Sequence, residues 1–238
     1  MQTTVVDIEH LAKIRRLEAL SARAWPADSF FYERAWHVGC YKAEFPALGS
    51  KDVAIITPLD ASDNVNIKQR VEALKVKLGQ KIYLRITPLA AKEIAVQLDL
   101  GALDYILKNN VFIASAKDVN FNSLLEISPL TPEEYAEVFS ISKDLVRLEL
   151  ESISKIKGKV CYFSTIDRSY GARYILDNGF AYIDRWPSQD GLASAFMEAV
   201  IAHAVRDKAL YVWYKAPAGL IEPGFNFECL YSEAYYAV

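Results

Sequence analysis

Three strand-like runs follow one another closely in the second half of the chain, and their spacing constrains the fold more than any other feature. The runs cover residues 159–166, 172–176 and 180–186, with only a short turn between one run and the next. The second turn is Asp177-Asn178-Gly179, and Asn and Gly tolerate the positive φ angles that a tight hairpin needs. The three runs therefore predict an antiparallel meander.

The stretch SQDGLASAF, Ser188 to Phe196, follows this meander and opens an amphipathic helix. The apolar face of that helix consists of Leu192, Ala195, Phe196, Ala199, Val200 and His203. The first N–H groups of a helix lack intrahelical partners and carry partial positive charge, and a small residue such as Gly191 lets an anion approach them. A tight connection that binds nothing would also favour glycine. The turn is therefore either an anion-binding site or a plain strand-to-helix connection.

The remaining elements alternate between helix and strand on both sides of a polar, aperiodic segment at residues 116–122. Helices are predicted at 7–24, 67–78 and 89–100 and from Thr131 onwards, and strands at 31–43, 51–57, 82–87, 111–115, 123–128 and 210–214. Residues 225–230 and 233–238 indicate a terminal hairpin. The polar segment predicts two domains, 1–118 and 119–238. No residues repeat at a fixed period, so a duplication rests on the order of elements alone.

The composition argues against several classes of protein. A net charge of −3 over 238 residues, without a dense basic cluster, disfavours a nucleic-acid surface. The three histidines and three cysteines are scattered, without metal-ligand or disulfide spacing. Apolar runs stay below the roughly 18 residues of a membrane helix, and the first residues lack a signal-peptide pattern. We expect a cytoplasmic, monomeric or homodimeric protein with free thiols, no metal, and no nucleic-acid or membrane partner.

The order of helix, three antiparallel strands, glycine turn, helix and strand resembles the GNAT family of acyl-CoA-dependent N-acyltransferases. The signature of that family, Arg/Gln-x-x-Gly-x-Gly/Ala, aligns with the segment from Ser188 to Ala193. Gly191 and Ala193 match it, whereas Ser188 does not. Gly224-Phe225 and the closing segment 232–238 also resemble the family.

The first half of the chain is similar to the degenerate GNAT-like half that opens a subset of two-domain members. The similar stretches are Leu17–Pro26, Thr57–Leu59 and Tyr83–Ile86. The resemblance implies an α+β fold with a central, mostly antiparallel twisted sheet flanked by helices, and it allows two GNAT-like halves.

The resemblance also implies an N-acetyltransferase that moves an acetyl group from acetyl-CoA to a small-molecule or peptide amine. The strand residues Ile183, Asp184 and Arg185 would pair with the pantetheine arm. The turn residues would present backbone amides to the pyrophosphate, and these are Gln189, Asp190, Gly191, Leu192, Ala193 and Ser194. The alternative is a catalytically degenerate GNAT-like module that binds an acyl-CoA or a partner without acyl transfer.

Departures from the family pattern keep both interpretations open. The family carries an Asn and an Ala-x-x-Leu-Tyr helix after its fifth strand, but residues 215–223 contain two prolines and a glycine, which oppose a full helix. Asp190 places negative charge beside the expected pyrophosphate. The sequence does not choose among the candidate proton donors and acceptors, which are Tyr231, Tyr235, Tyr236, Glu228 and Glu233. His203 and the cysteines are expected to pack.

Overall fold

The computed structural model describes residues 8–24, 27–42, 48–119, 124–141, 144, 146–147, 150–151, 158–184, 191–217 and 226–238. The chain forms two compact units. The first comprises Met1–Ala19, Ala27–Asn110 and Tyr231–Val238, and the second comprises Leu20–Pro26 and Val111–Leu230. Most of the second unit is therefore inserted, along the chain, between two segments of the first.

The first unit is built from a mixed sheet and its crossover helix. Its elements are α1 (Ile8–Ala24, whose last turn belongs to the second unit), β1 (Ser29–Glu33), β2 (Trp36–Tyr41), β3 (Val53–Pro58), α2 (Ile67–Leu78), β4 (Lys81–Ile86), α3 (Lys92–Gln97) and a 3₁₀ turn at Leu100–Ala102. A later strand, β11 (Glu228–Ala237), extends the sheet to the order β1-β2-β3-β4-β11. β3 and β4 are parallel and joined through α2, and the other neighbours are antiparallel.

The second unit repeats this plan. Its elements are β5 (Leu107–Ser115, which starts in the first unit), β6 (Ile127–Leu130), α4 (Pro132–Val138), β7 (Lys159–Thr165), β8 (Gly171–Asp177), β9 (Phe180–Asp184), α5 (Gly191–Arg206) and β10 (Tyr211–Pro217). The strand order is β5-β10-β9-β8-β7-β6. β6 to β9 are antiparallel neighbours, and β9 and β10 are parallel and joined through α5. The predicted class, a mostly antiparallel sheet flanked by helices, is confirmed.

The strands within each unit pair in the same register as the equivalent strands of the other unit, so the likeness goes beyond the order of elements. In the first unit the cross-strand row is Tyr32–His37–Thr57, and in the second it is Tyr162–Arg173–Asp184. The parallel strands of each unit are also paired over four residues, ending at Ile56–Leu84 and at Ile183–Tyr214. Position by position, β1–β4 therefore correspond to β7–β10.

Each unit has its own apolar core between one face of its sheet and its crossover helix. The first core includes Trp36, Val38, Ala54, Ile56, Ile67, Val71, Leu74, Ile82 and Leu84. The second includes Phe163, Tyr174, Ala181, Ile183, Phe196, Met197, Val200, Ile201 and Val212. Side chains alternate along a strand, so Ala181 and Ile183 face α5 while Tyr182 and Asp184 face the opposite side.

Short-range signals account for several ends of elements. α2 stops at Gly79, which adopts φ 61° and whose N–H donates to the carbonyl of Lys75. α4 starts with a capping box, because Thr131 Oγ1 accepts from the Glu134 N–H while Glu134 Oε2 accepts from the Thr131 N–H. Gly179, in the β8–β9 turn, has φ 81°. These three local predictions are confirmed.

Other parts of the predicted pattern are wrong. The run 31–43 is not one strand, because a turn in which Arg34 adopts φ 57° splits it into the hairpin β1–β2. The helix predicted at 89–100 shortens to α3, since Asp99 is left-handed and a 3₁₀ turn follows. The predicted terminal hairpin is the single strand β11, because Tyr231 and Ser232 continue it without turning.

Candidate functional site

The candidate site lies in the second unit, where β9 ends and α5 begins. The last paired residues of β9 and β10 are Ile183 and Tyr214, after which β9 extends to Asp184 and β10 to Pro217. In a parallel β–α–β crossover, the carboxyl ends of the strands meet the amino end of the helix. That end of the helix offers N–H groups without intrahelical acceptors. The geometry thus places the carboxyl ends of two neighbouring strands beside an anion-attracting helix end.

The structure places part of the predicted cofactor site at this edge. Gly191 is the first residue of α5, and Leu192, Ala193 and Ser194 complete the first turn, where Ser194 is exposed. Ile183 is buried against α5, so its contribution to a ligand would come from its backbone. The predictions for Arg185, Gln189 and Asp190 fall outside the described residues.

Asp184 forms a buried ion pair with Arg173, its direct cross-strand neighbour on β8. Arg173 Nε lies 2.7 Å from Asp184 Oδ1 and 2.9 Å from Oδ2, and Nη2 lies 2.6 Å from Oδ2. Arg173 is 0% exposed and Asp184 is 6% exposed. This bidentate contact fixes the Asp184 carboxylate in one orientation on the sheet face opposite α5.

An aromatic pair and a lysine lie on the same face of the sheet. Tyr182 and Trp213 stack with their ring centroids 4.3 Å apart. Lys215 Nζ lies 5.8 Å from the centroid of Trp213 and donates a hydrogen bond of 2.8 Å to Ser21 Oγ. A carboxylate, a guanidinium and an ammonium therefore stand close to the end of the β9–β10 pairing.

The candidate proton donors and acceptors near residue 233 lie in the first unit, around Arg85. Arg85 Nη2 is 2.5 Å from Glu18 Oε2 and 2.5 Å from Glu233 Oε2. The hydroxyl of Tyr231 donates to Glu18, and the hydroxyl of Tyr235 lies 3.4 Å from Glu233 Oε1. Burial raises the pKa of both tyrosines well above the ordinary value, so their hydroxyls stay protonated.

This buried group, which we call the Arg85 cluster, consists of Glu18, Arg85, Asn109, Tyr231, Glu233 and Tyr235. Tyr235 is bonded to Glu233, and Tyr231 is linked to them through Glu18 and Arg85, all within the first unit. Of the two remaining candidates, Glu228 is exposed and Tyr236 is half-buried against the first core.

A second polar group surrounds Asp207, just beyond the carboxyl end of α5. Asp207 Oδ2 accepts from Lys159 Nζ at 2.6 Å and from the hydroxyl of Tyr174, and Cys161 Sγ lies 3.9 Å away. His203 packs on Phe163, and burial lowers its pKa. α5 is 16 residues long, from Gly191 to this end, and a helix of that length spans roughly 24 Å. The group therefore cannot contribute to the turn at Gly191.

In the part of the chain that the structure describes, no three His, Cys, Asp or Glu side chains are grouped so that they could hold a metal ion. None of the described helices combines the length and apolar character needed to cross a membrane.

Comparison with solved structures identifies the fold. A GCN5-related N-acetyltransferase from Kribbella flavida has 11% sequence identity and a TM-score of 0.60, and the match covers 98% of this chain and 96% of that one. A tandem GNAT protein from the clavulanic acid biosynthesis pathway has 12% identity and a TM-score of 0.56, covering 98% and 95%. A GCN5-related N-acetyltransferase from Sphaerobacter thermophilus has 8% identity and a TM-score of 0.53, covering 85% and 76%.

No protein-family model matches the sequence, and no curated protein matches it either. At identities of 8% to 12%, the likeness concerns the fold. The chain therefore has the fold of the GCN5-related N-acetyltransferases, in the two-domain arrangement that the tandem protein also shows.

The sequence did not lead us to predict Arg173 and Lys215 as residues of the sheet face opposite α5. A signal for Arg173 was present, because Arg173 and Asp184 stand at equal distances from the Asn178-Gly179 turn. A tight hairpin pairs residues that are symmetric about its turn. The hairpin prediction therefore already implied that these two opposite charges face each other.

Proposed function

We propose that the chain is an acyl-CoA-dependent N-acyltransferase that uses acetyl-CoA as donor and an amine as acceptor. The β9–α5–β10 crossover is the observation that carries this proposal. In the residues that the structure describes, its strands are paired as far as Ile183 and Tyr214, and its helix begins at Gly191, within the fold of the GCN5-related N-acetyltransferases. The backbone of β9 would bind the pantetheine arm, and the first N–H groups of α5 would bind the pyrophosphate.

The proposed reaction forms a C–N bond and breaks a C–S bond. The nitrogen of a neutral amine attacks the thioester carbonyl, the coenzyme leaves as a thiolate, and the nitrogen loses one proton while the thiolate gains one. Holding the amine and the thioester in contact supplies most of the acceleration in such a mechanism.

The second candidate function is a module that binds an acyl-CoA without transferring its acyl group. One observation favours it: Tyr231, Tyr235 and Glu233, which the sequence offered as proton donors and acceptors, are bonded within the Arg85 cluster of the first unit. An acyltransferase would then have to use other side chains, in the second unit, as its proton donor and proton acceptor.

Thermal unfolding with and without acetyl-CoA or CoA tests the binding step that both candidates share. A ligand at about 100 times its dissociation constant adds roughly 2.7 kcal/mol to the free energy of unfolding, and we expect a clear rise in Tm. Release of free thiol from acetyl-CoA in the presence of amines then separates the enzyme from the binding module. An unchanged Tm with every short acyl-CoA would contradict both.

A Gly191→Glu variant tests the position of the cofactor. A carboxylate at the amino end of α5 would repel the pyrophosphate and fill the space it needs, so the rise in Tm should disappear. Gly101→Glu is the matched control, because a side chain at Gly101 meets no atom within 4 Å. Binding that survives Gly191→Glu would place the cofactor elsewhere.

The proposal also covers the roles of the two domains, the acceptor, the cellular compartment and the oligomeric state. Residues 1–118 would form a degenerate GNAT-like domain and residues 119–238 the acyl-CoA-binding domain. The acceptor would be a small-molecule or peptide amine, and the protein would work in the cytoplasm as a monomer or homodimer. Cys40, Cys161 and Cys229 form no disulfide, which supports a reducing compartment.

A further inference from the structure

The turn between β3 and α2 of the first unit surrounds one carboxylate, that of Asp63, with four nitrogen atoms. Arg70 Nη1 lies 2.9 Å from Asp63 Oδ1, and Arg70 Nη2 lies 3.0 Å from Oδ2. The backbone N–H of Ala35 donates to Oδ2 at 3.2 Å, and Arg34 Nε lies 3.4 Å from Oδ1. Two guanidinium groups and a backbone amide therefore converge on one anionic group, and the same kinds of donor bind phosphate.

Contacts that do not involve Asp63 hold the guanidinium of Arg70 in place. Its Cζ lies 3.6 Å from the centroid of the Trp36 ring, and Nη2 also donates to the carbonyl of Glu33 at 2.8 Å. Nε is buried without a hydrogen-bond acceptor among the described residues, and the half-exposed carboxylate of Glu33 lies 4.0 Å from it. We therefore expect the guanidinium to keep its position when the Asp63 carboxylate is removed, which preorganises it for another anion.

The carboxylate is covered by a side chain that itself faces solvent. Asp63 is 7% exposed, but its neighbour Ser62 and the nearby Val65 are exposed. The side chain of Arg34, which contacts the carboxylate, is 54% exposed. A ligand in place of the carboxylate would therefore lie one side chain away from water. One bidentate guanidinium is enough to pair a carboxylate, so the second leaves room for a ligand with more than one negative charge.

We infer that this turn of the first unit is a phosphate-binding site that the chain fills with its own Asp63 carboxylate. The wild-type chain keeps the site closed to free anions, and a phosphate group takes the place of the carboxylate when the Asp63 side chain is shortened. The ligand chemistry is that of inorganic pyrophosphate and of the pyrophosphate in CoA. The inference goes beyond the proposed function, which concerns the β9–α5–β10 crossover, and neither depends on the other.

An Asp63→Ala variant opens the site, and isothermal titration with inorganic pyrophosphate tests it. The substitution leaves Arg34 and Arg70 without the anion that they share, so pyrophosphate should bind at least about tenfold more tightly than to the wild type. Pyrophosphate should also raise the Tm of the variant more than that of the wild type. Without pyrophosphate, the variant should unfold at a lower Tm than the wild type, because a buried guanidinium has lost its carboxylate.

Two control variants separate this site from a general effect of charge. Asp60→Ala removes the same charge from the same turn, but the Asp60 carboxylate accepts from the N–H and the hydroxyl of Ser62. It should leave pyrophosphate binding unchanged. Asp63→Ala with Arg70→Met removes the carboxylate together with its bidentate partner, so the gain in affinity should disappear. A gain that survives in the double variant would overturn the inference.

Titration with CoA separates the coenzyme from free pyrophosphate as the source of the phosphate group. Two CoA molecules bound per Asp63→Ala chain, against one per wild-type chain, would show that the opened site accepts the coenzyme. A gain for pyrophosphate alone would also support the inference and would restrict the ligand to free phosphates. A wild-type chain that binds no CoA contradicts the proposed function and leaves this inference standing.

Pyrophosphate that binds Asp63→Ala no more tightly than the wild type overturns the inference, and Asp63 is then a structural link between the turn and Arg70. If Asp63→Ala folds only in the presence of pyrophosphate, and not in sodium chloride of equal ionic strength, the inference is supported. If it folds in neither, Asp63→Asn replaces it, because the amide oxygen remains an acceptor for Arg70. An Asp63→Asn chain without a gain in pyrophosphate affinity would overturn the inference.

Discussion

Arg85 is the only cation of the Arg85 cluster, and two carboxylates share it. Burial alone would lower the pKa of Arg85, but Glu18 and Glu233 raise it well above its ordinary value. Glu18 and Glu233 are each 1% exposed. The free energy of unfolding that is lost when one residue of the Arg85 cluster is replaced therefore depends on which charge remains buried without a partner.

We predict unequal losses of stability for two substitutions in this cluster. Arg85→Met leaves two buried carboxylates without a cation and should lower the free energy of unfolding by about 3–5 kcal/mol. Glu233→Gln leaves Arg85 paired with Glu18 and preserves a hydrogen-bond acceptor, so the loss should be about 1 kcal/mol. Urea unfolding measures both, with the exposed Glu72→Gln as control. Equal losses would show that the shared cation does not organise the cluster.

His37 gives the first unit a dependence on pH. Burial, and then Arg85, lower the pKa of His37 from 6.5. The unfolded chain therefore binds the proton more readily, and this stability contribution is complete above the ordinary His value and lost as the pH falls below it. His37→Gln should flatten the loss of stability between about pH 7 and about pH 5. An identical pH profile in wild type and variant, measured by urea unfolding, would refute the assignment.

At the scale of elements, the sequence predicts best what neighbouring residues determine. The end of α2 at Gly79, the capping box of α4 and the start of α5 at Gly191 depend on residues within one helical turn. The β1–β2 hairpin was missed because its turn, Arg34-Ala35, lacks the usual Gly, Asn or Pro. The shared register was also hidden, since equivalent strand positions such as His37 and Arg173 differ in chemistry.

The crossover turn of the first unit predicts one cofactor per chain. In the first unit, Asp63 lies between β3 and α2 and is buried, with Arg70 Nη1 and Nη2 at 2.9 and 3.0 Å from its two oxygens. This turn therefore already holds a carboxylate just before the amino end of α2, where a pyrophosphate would have to bind. Isothermal titration with acetyl-CoA should give one site per chain. A stoichiometry of two would contradict the assignment of a degenerate first domain.

At the scale of the whole molecule, the structure differs from the predicted two-domain order mainly in which chain segments form each unit, and less in where the domain boundary falls. The predicted boundary at residues 118 and 119 stays a prediction, but the compact first unit also includes Tyr231–Val238. No local pattern could reveal this, because Arg85 and Glu233 are 148 positions apart in the sequence. The hydrophobic pattern identified β11 as strand, and only the folded sheet shows that it pairs with β4.

A chain that ends at Leu230 should lose the fold of its first unit. It would lack the residues that pair with Tyr83 to Ile86 on β4, together with Glu233 of the Arg85 cluster. Hydrogen exchange should then show loss of amide protection in β2, β3 and β4, with less change in β7 and β8. Retained protection in β4 would mean that β11 is dispensable to the first unit.

The insertion of the second unit has a consequence for synthesis on the ribosome. Residues 111–230 must be translated before β11 can pair with β4, which takes roughly 6 to 24 seconds at ordinary elongation rates. During this interval the edge of β4 that β11 will cover has no strand from residues 231–238 beside it, and Arg85 has one of its two carboxylates. An uncovered strand edge invites pairing with other chains. Slower elongation through this stretch should therefore increase aggregation of nascent chains, which sedimentation of newly made protein would measure.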